Sequence, residues 1–290
     1  MGWLDANLVS VVDGVAYGLL LFTLAAGLSL VFGMMDVLNL AHGTLYLLGA
    51  YAAYQFSDGS WTGLLLAIVA GLAVGALGGV VLAALSAPLA DRGHLDQAML
   101  TLGVGFIVVD LLITRYGGEQ VPIDVPAGLD GSFSLLGHPY PTYRILFIAI
   151  AGFLALGVWL LFERSSFGAL VRATVVDREM VQAMGVDTRW VLFGVFAFGA
   201  GLAALGGVLG APIMAPGPGV DERVLVLSLV VVVIGGLGSI RGALLGALII
   251  GQVQGLGVQL TPTYAPFLLF GAMLVILVWR PQGLAGLRTR

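Results

Sequence analysis

Apolar residues fall into long runs along this chain, and the polar stretches between them are few and short. The runs cover residues 9–33, 37–56, 62–87, 96–116, 143–163, 190–211, 224–239 and 264–280, with a further one at 243–258. A bilayer core of about 30 Å takes roughly 20 apolar residues per helix. The pattern therefore predicts an all-α, polytopic integral membrane bundle of about eight transmembrane helices, drawn from nine or ten hydrophobic segments. One segment is expected to be broken or re-entrant: either the passage from 9–33 into 37–56, or the pair 224–239 and 243–258. No polar stretch is long enough to be a separate soluble domain, so residues 1–290 read as a single transmembrane domain.

Composition sharpens that picture. Charged residues make up 10% of the chain and hydrophobic ones 59%, with a mean hydropathy of +1.06. A water-soluble domain carries about 25% charged residues, so the polar coat that water requires is missing. The 44 glycines suit helices that approach closely in lipid. The runs Gly71, Gly75, Gly79 and the pairs Gly242/Gly246 and Gly251/Gly255 have small-xxx-small spacing, which serves either a seam between subunits or packing within the bundle. The net charge of −4 gives no reason to expect nucleic acid, and the absence of Cys excludes a disulfide framework, a thiol nucleophile and a Cys-based metal site. The first basic residue is Arg92, so the N-terminus lacks the charged region of a cleavable secretory signal.

All twelve basic residues are Arg, and their distribution predicts orientation. Arg164, Arg172, Arg178 and Arg189 lie in the loop 164–189, and Arg280, Arg288 and Arg290 lie in the tail. Arg-rich short loops stay cytoplasmic, which puts both regions on that side. Residues 117–142 hold Glu119, Asp124 and Asp130 but no Arg, and read as the outer loop, with Arg115 and Arg144 at its flanks. Alternation from the tail then places the N-terminus outside.

Three local features carry candidate chemistry. In GLSLVFGMMDVLNLAHGTLYLLGAY (27–51), Asp36, Asn39 and His42 interrupt an apolar run between Gly33 and Gly43. Irregular backbone at membrane depth is found where it lines a cavity or is buried in protein, and broken helices place polar ends at transport sites. This makes Asn39, His42 and Gly43 candidates for a translocation path; the other reading is a short cytoplasmic turn with capping Asp and Asn, and His42 satisfied by a backbone carbonyl. Asp110, within the fourth run, is a further candidate, because intramembrane ionisable groups are functional by default. A structural pair with a Gln or Arg on a neighbouring helix is the alternative.

The second feature is FERSSFGALVRATVVDREMVQAMGVDTRW (162–190), the longest polar stretch on the predicted cytoplasmic side. It predicts a helix from about Leu170 to Met184 that stops at Gly185 as a C′ glycine, with Asp177, Arg178 and Glu179 on a solvated face. The third is VVVVIGGLGSIRGALLGALIIGQ (230–252), whose glycine turn has the wrong spacing for a nucleotide loop: G-x-G-x-x-G counted from Gly236 needs Gly at the position of Arg241. A P-loop requires Lys, which the chain lacks, and no H-E-x-x-H or G-x-S-x-G occurs. With no catalytic or energy-converting motif of its own, the chain is read as a transport subunit and not an enzyme.

These stretches, together with WRPQGLAG (279–286), resemble in order and placement the branched-chain amino-acid permeases of ABC transporters, in their LivH-type half. The spacing Glu179–Gly185 matches the family's E-A-A-x-x-x-G coupling motif, with Met180 and Val181 where the pattern has alanines and no Leu-Pro pair downstream. The resemblance implies that Arg172, Asp177, Arg178, Glu179, Met184 and Gly185 belong to a loop that docks on an ATPase. It further implies a second homologous permease, two cytoplasmic ATPases that hold ATP and Mg, an extracytoplasmic solute-binding protein, and a place in the inner membrane of a bacterium or archaeon. Branched-chain amino acids are the expected cargo; urea, short amides or other amino acids are the alternative. An ion-coupled carrier is a weaker reading, since only Asp110 offers a carboxylate within an apolar run.

Overall fold

The computed structural model describes residues 3–35, 37–89, 93–135 and 137–285. Its helices are α1 (Trp3–Met35), α2 (His42–Phe56), α3 (Trp61–Ser86), α4 (His94–Tyr116), α5 (Thr142–Trp159), α6 (Ser166–Val176), α7 (Arg178–Ala183), α8 (Thr188–Gly210), α9 (Val220–Gly235), α10 (Ile240–Leu260) and α11 (Ala265–Trp279). A hairpin of β1 (Ser132–Leu135) and β2 (His138–Pro141) precedes α5. The polytopic helical bundle read from the sequence is the architecture observed.

Seven helices among the described residues are long and apolar enough to cross a membrane: α1, α3, α4, α5, α8, α10 and α11, some with a short turn appended. The runs 37–56 and 224–239 behave differently. They form α2 and α9, of 15 and 16 residues, which at 1.5 Å per residue reach only about 22–24 Å. One break was expected at either of two places, and the structure has a break at each. Between α1 and α2 the backbone of residues 37–41 is not helical, yet Val37, Asn39 and Ala41 are buried. Between α9 and α10 it turns through Gly236 and Gly238, both at positive φ.

α1 and α8 are the central helices, buried on nearly all sides. α1 lies along α10, with Gly251 backing onto Gly14 and Gly18, and Gly255 onto Ser10 and Gly14. α8 is flanked by α2 and α3. The glycine run on α3 meets α8 directly: Gly71 faces Val208, Gly75 faces Ala204, and Gly79 faces the Phe196 carbonyl. Gly242 packs on Gly235 and Gly246 on Val231. The small-residue runs are thus used for packing within the chain. Lipid is as apolar as the side chains it surrounds, so close backbone approach takes over from the hydrophobic effect as the source of cohesion.

The helix ends gather on two faces. On one, Ala127 N–H donates to the Gly59 carbonyl and Val121 N–H to that of Pro216, which ties the 57–60, 117–130 and 211–219 loops together beside the hairpin. On the other, Arg241 pairs with Glu163 at 3.5 Å, and Leu284 N–H and Ala285 N–H donate to the carbonyls of Ile234 and Gly235. The second face carries the Arg-rich loop. Arg92, Arg288 and Arg290 lie outside the described residues, as does Asp36.

Candidate functional site

The Arg-rich loop contains two short helices where one was expected. α6 ends at Val176, and Asp177 takes extended backbone dihedrals. Its carboxylate accepts the Met180 N–H at 2.8 Å and so N-caps α7. The cap outcompetes continuation of α6, whose last residues Val175 and Val176 are β-branched and restrict the helix. α7 closes as predicted at Gly185, with φ +87° and its N–H donating to the Gln182 carbonyl at 2.9 Å.

Side chains fix this pair of helices to the bundle. Arg178 Nε and Gln182 Nε2 both donate to the Thr188 hydroxyl, at 3.1 and 2.8 Å, and so tie α7 to the first turn of α8. The Arg172 guanidinium donates to the Phe162 carbonyl, and Phe162 in turn packs against Phe167 and Phe198. Val171 and Val181 point inward and are buried. What remains outside is unusual: Val176, Met180, Met184 and Trp190 are exposed by 86%, 59%, 76% and 75%, beside exposed Asp177, Glu179 and Gly185. Large apolar side chains exposed together on a charged loop make a surface patch of the kind that protein or membrane contacts cover. The six residues singled out in this loop thus lie within one short stretch and share one face of the molecule, with Arg172 and Arg178 also bracing it from within.

The second constellation is the break before α2. Asn39 Oδ1 accepts the Ala41 N–H at 3.1 Å, and the Thr101 hydroxyl of α4 accepts the Leu40 N–H at 3.0 Å while lying 3.2 Å from the Leu38 carbonyl. Backbone groups that would otherwise be bare at membrane depth are thereby satisfied from within the protein. His42 is fully buried, and its Nε2–H donates to the Leu24 carbonyl in the middle of α1 at 2.8 Å. A carbonyl only accepts, so Nε2 carries the proton, and Nδ1 is left without a partner. Gly43 stands against the Asp221 carbonyl in the first turn of α9, where an added Cβ would lie 2.0 Å away. Asp221 Oδ1 is buried and likewise unpartnered. The starts of both short helices therefore meet, each beside an unsatisfied polar atom. Asn39 and His42 are buried, and the Asn39 cap and the His42–carbonyl bond are the contacts expected of the turn reading.

Asp110 is not part of that cluster. It lies on the exposed side of α4, nine residues or about 14 Å along the helix axis from Thr101. Replacing Thr101 with Val is expected to leave the part-buried Leu40 N–H without its partner, at a cost of about 1 kcal/mol. A lower melting temperature of the detergent-solubilised protein checks this.

Sequence reading missed a third group. Asp13, inside α1, accepts hydrogen bonds from Tyr140 Oη at 2.8 Å and from the Arg144 guanidinium. Burial first, and then the Asp13 carboxylate, push the Tyr140 phenol above its ordinary value and keep it a donor. Asp110 is therefore not the sole carboxylate within an apolar run. The available signal was the lone Asp in LVSVVDGVAYG; its partners lie more than 120 positions downstream.

A polytopic helical bundle with two half-length helices meeting in its interior is an architecture that suits a membrane transport subunit. Residues 10–278 match the family described as the branched-chain amino acid transport system / permease component, and the chain belongs to that family. BraD of Pseudomonas aeruginosa, a high-affinity branched-chain amino acid permease protein, is 26% identical, covering 96% of this chain and 95% of BraD. LivH of Escherichia coli is 27% identical over 94% of each chain. LivM, another permease protein of the E. coli system, is 28% identical over 94% of this chain and 69% of LivM.

Proposed function

We propose that this chain is the permease subunit of an ABC importer that carries branched-chain amino acids across the cytoplasmic membrane by alternating access. Family membership and the names borne by BraD and LivH support the cargo. The exposed Met180–Met184 patch on α7 is the observation that carries the coupling role. It is short, capped at both ends and braced through Thr188, so an ATPase pressing on it moves α8 with it. In this reading the Arg-rich face is cytoplasmic and receives two ATPases, which hold ATP and Mg. A second, homologous permease completes the path, and a solute-binding protein delivers cargo to the hairpin face. Asn39, His42 and Gly43 border that path at the junction of α2 and α9, and Asp110 faces the partner permease or the path, since a carboxylate in contact with lipid is costly.

Purification of the tagged chain from its native membranes in mild detergent tests the assembly. Mass spectrometry is expected to find a second hydrophobic permease and ATP-binding subunits in the complex. A chain that purifies alone after gentle cross-linking contradicts it.

A further inference from the structure

A cavity of about 330 Å³ opens between α1, α5, α9 and α10 near the hairpin face. That size is at the lower end for sites that take small molecules. Two of its lining groups lack partners. The Arg223 guanidinium, on the first turn of α9, is exposed and makes no hydrogen bond or ion pair with any described residue. The Tyr17 hydroxyl, on α1, is buried without a hydrogen-bond partner. Arg223 is near enough for its charge to act on that hydroxyl. An unmade hydrogen bond costs the buried Tyr17 hydroxyl its desolvation. An anion seated between it and Arg223 would supply that bond and a counter-charge to the guanidinium.

One turn earlier on α1 is Asp13, at the i, i+4 spacing that puts side chains about 5–6 Å apart. Asp13 receives both Tyr140 and Arg144 on Oδ1, which leaves its second oxygen for a cationic group. The lining thus offers two poles, the free Asp13 oxygen and the Arg223 guanidinium. Ile213, Met214 and Val258 supply an apolar wall.

We propose that this cavity is a binding station for an α-amino acid zwitterion, with its carboxylate on Arg223 and Tyr17, its ammonium on Asp13, and an aliphatic side chain against Ile213 and Met214. The assignment rests on the reading of the chain as an amino-acid permease and names the site within it.

The test uses the assembled permease–ATPase complex without its binding protein, so that the permease's own affinity is read, with radiolabelled leucine as the probe. Wild type is expected to bind leucine and to release it to excess unlabelled leucine but not to 3-methylbutylamine, which lacks the carboxylate. Loss of a charge-assisted contact in Arg223→Gln should raise the half-saturating concentration about tenfold or more. Arg223→Lys and Tyr17→Phe should give smaller increases, with each complex still eluting as the full assembly. Unchanged binding in Arg223→Gln, or equal competition by 3-methylbutylamine, overturns the site while ATP-driven leucine uptake still upholds the transporter. Absence of that uptake in the complete wild-type system overturns both.

Discussion

Gly49→Leu is expected to leave no correctly folded transporter, whereas Gly152→Ala should be tolerated. At the crossing of α2 and α8, a Cβ on Gly49 would lie 1.9 Å from the Ala204 carbonyl oxygen, and one on Gly207 would lie 2.0 Å from that of Tyr46. The obstruction is backbone on both sides, so no rotamer change relieves it. The helices must separate, and α8 is the helix against which α2 and α3 are packed. Ordinary overpacking of a core costs about 1–3 kcal/mol; parting two central helices forfeits their whole shared contact. Gly152 has nothing within 4 Å of its Cβ position. Membrane yield and a monodisperse elution profile read both outcomes. A well-folded Gly49→Leu protein would mean that α2 does not cross α8 at this point.

The second large effect concerns coupling. Gly185→Trp and the pair Met180→Glu with Met184→Glu should each cut ATP-driven uptake by an order of magnitude or more, while the chain still inserts and folds. Gly185 is at φ +87° with open space around it, so Trp meets no clash but must adopt a left-handed backbone, at about 1–2 kcal/mol. It also places a bulky ring on the surface that docks. Asn tolerates that conformation, and Gly185→Asn should retain most activity. The two Met→Glu changes leave the backbone alone and put carboxylates on the exposed apolar patch. Substrate-stimulated ATP hydrolysis that stays normal in both variants would remove α7 from the contact with the ATPase.

Much of the fold was legible because lipid imposes a simple rule: a helix that crosses must be apolar for about 20 residues. The runs that became α3, α4, α5 and α8 follow it closely, whereas the run 243–258 is no longer than 224–239, although α10 extends over Ile240–Leu260 and is long enough to cross. α2 and α9 do not, since their starts are fixed by interactions remote in sequence. Thr101, on α4, supports the backbone at 38–40, and Gly43 nests on Asp221. Hydropathy averages over such contacts. The break at Asp177 was similarly hidden, because Asp at that place serves a helix surface as readily as a cap; only the Met180 N–H bond decides it. In the Arg-rich loop the candidate residues come from one contiguous stretch, whose Glu179–Gly185 spacing resembles the permease coupling motif. The Asp13, Tyr140 and Arg144 cluster joins α1 to residues more than 120 positions away, and Arg223 approaches Tyr17 across another 200. No local pattern encodes those meetings.

Uptake into proteoliposomes that hold the complete complex, with its binding protein added outside, decides whether this chain serves ATP-driven import of branched-chain amino acids. Leucine, isoleucine and valine are expected to accumulate only with hydrolysable ATP, and not when either the ATPases or the binding protein is omitted. Leucine uptake driven by a proton or sodium gradient without ATP, or ATP-driven uptake of urea with none of leucine, would contradict that role.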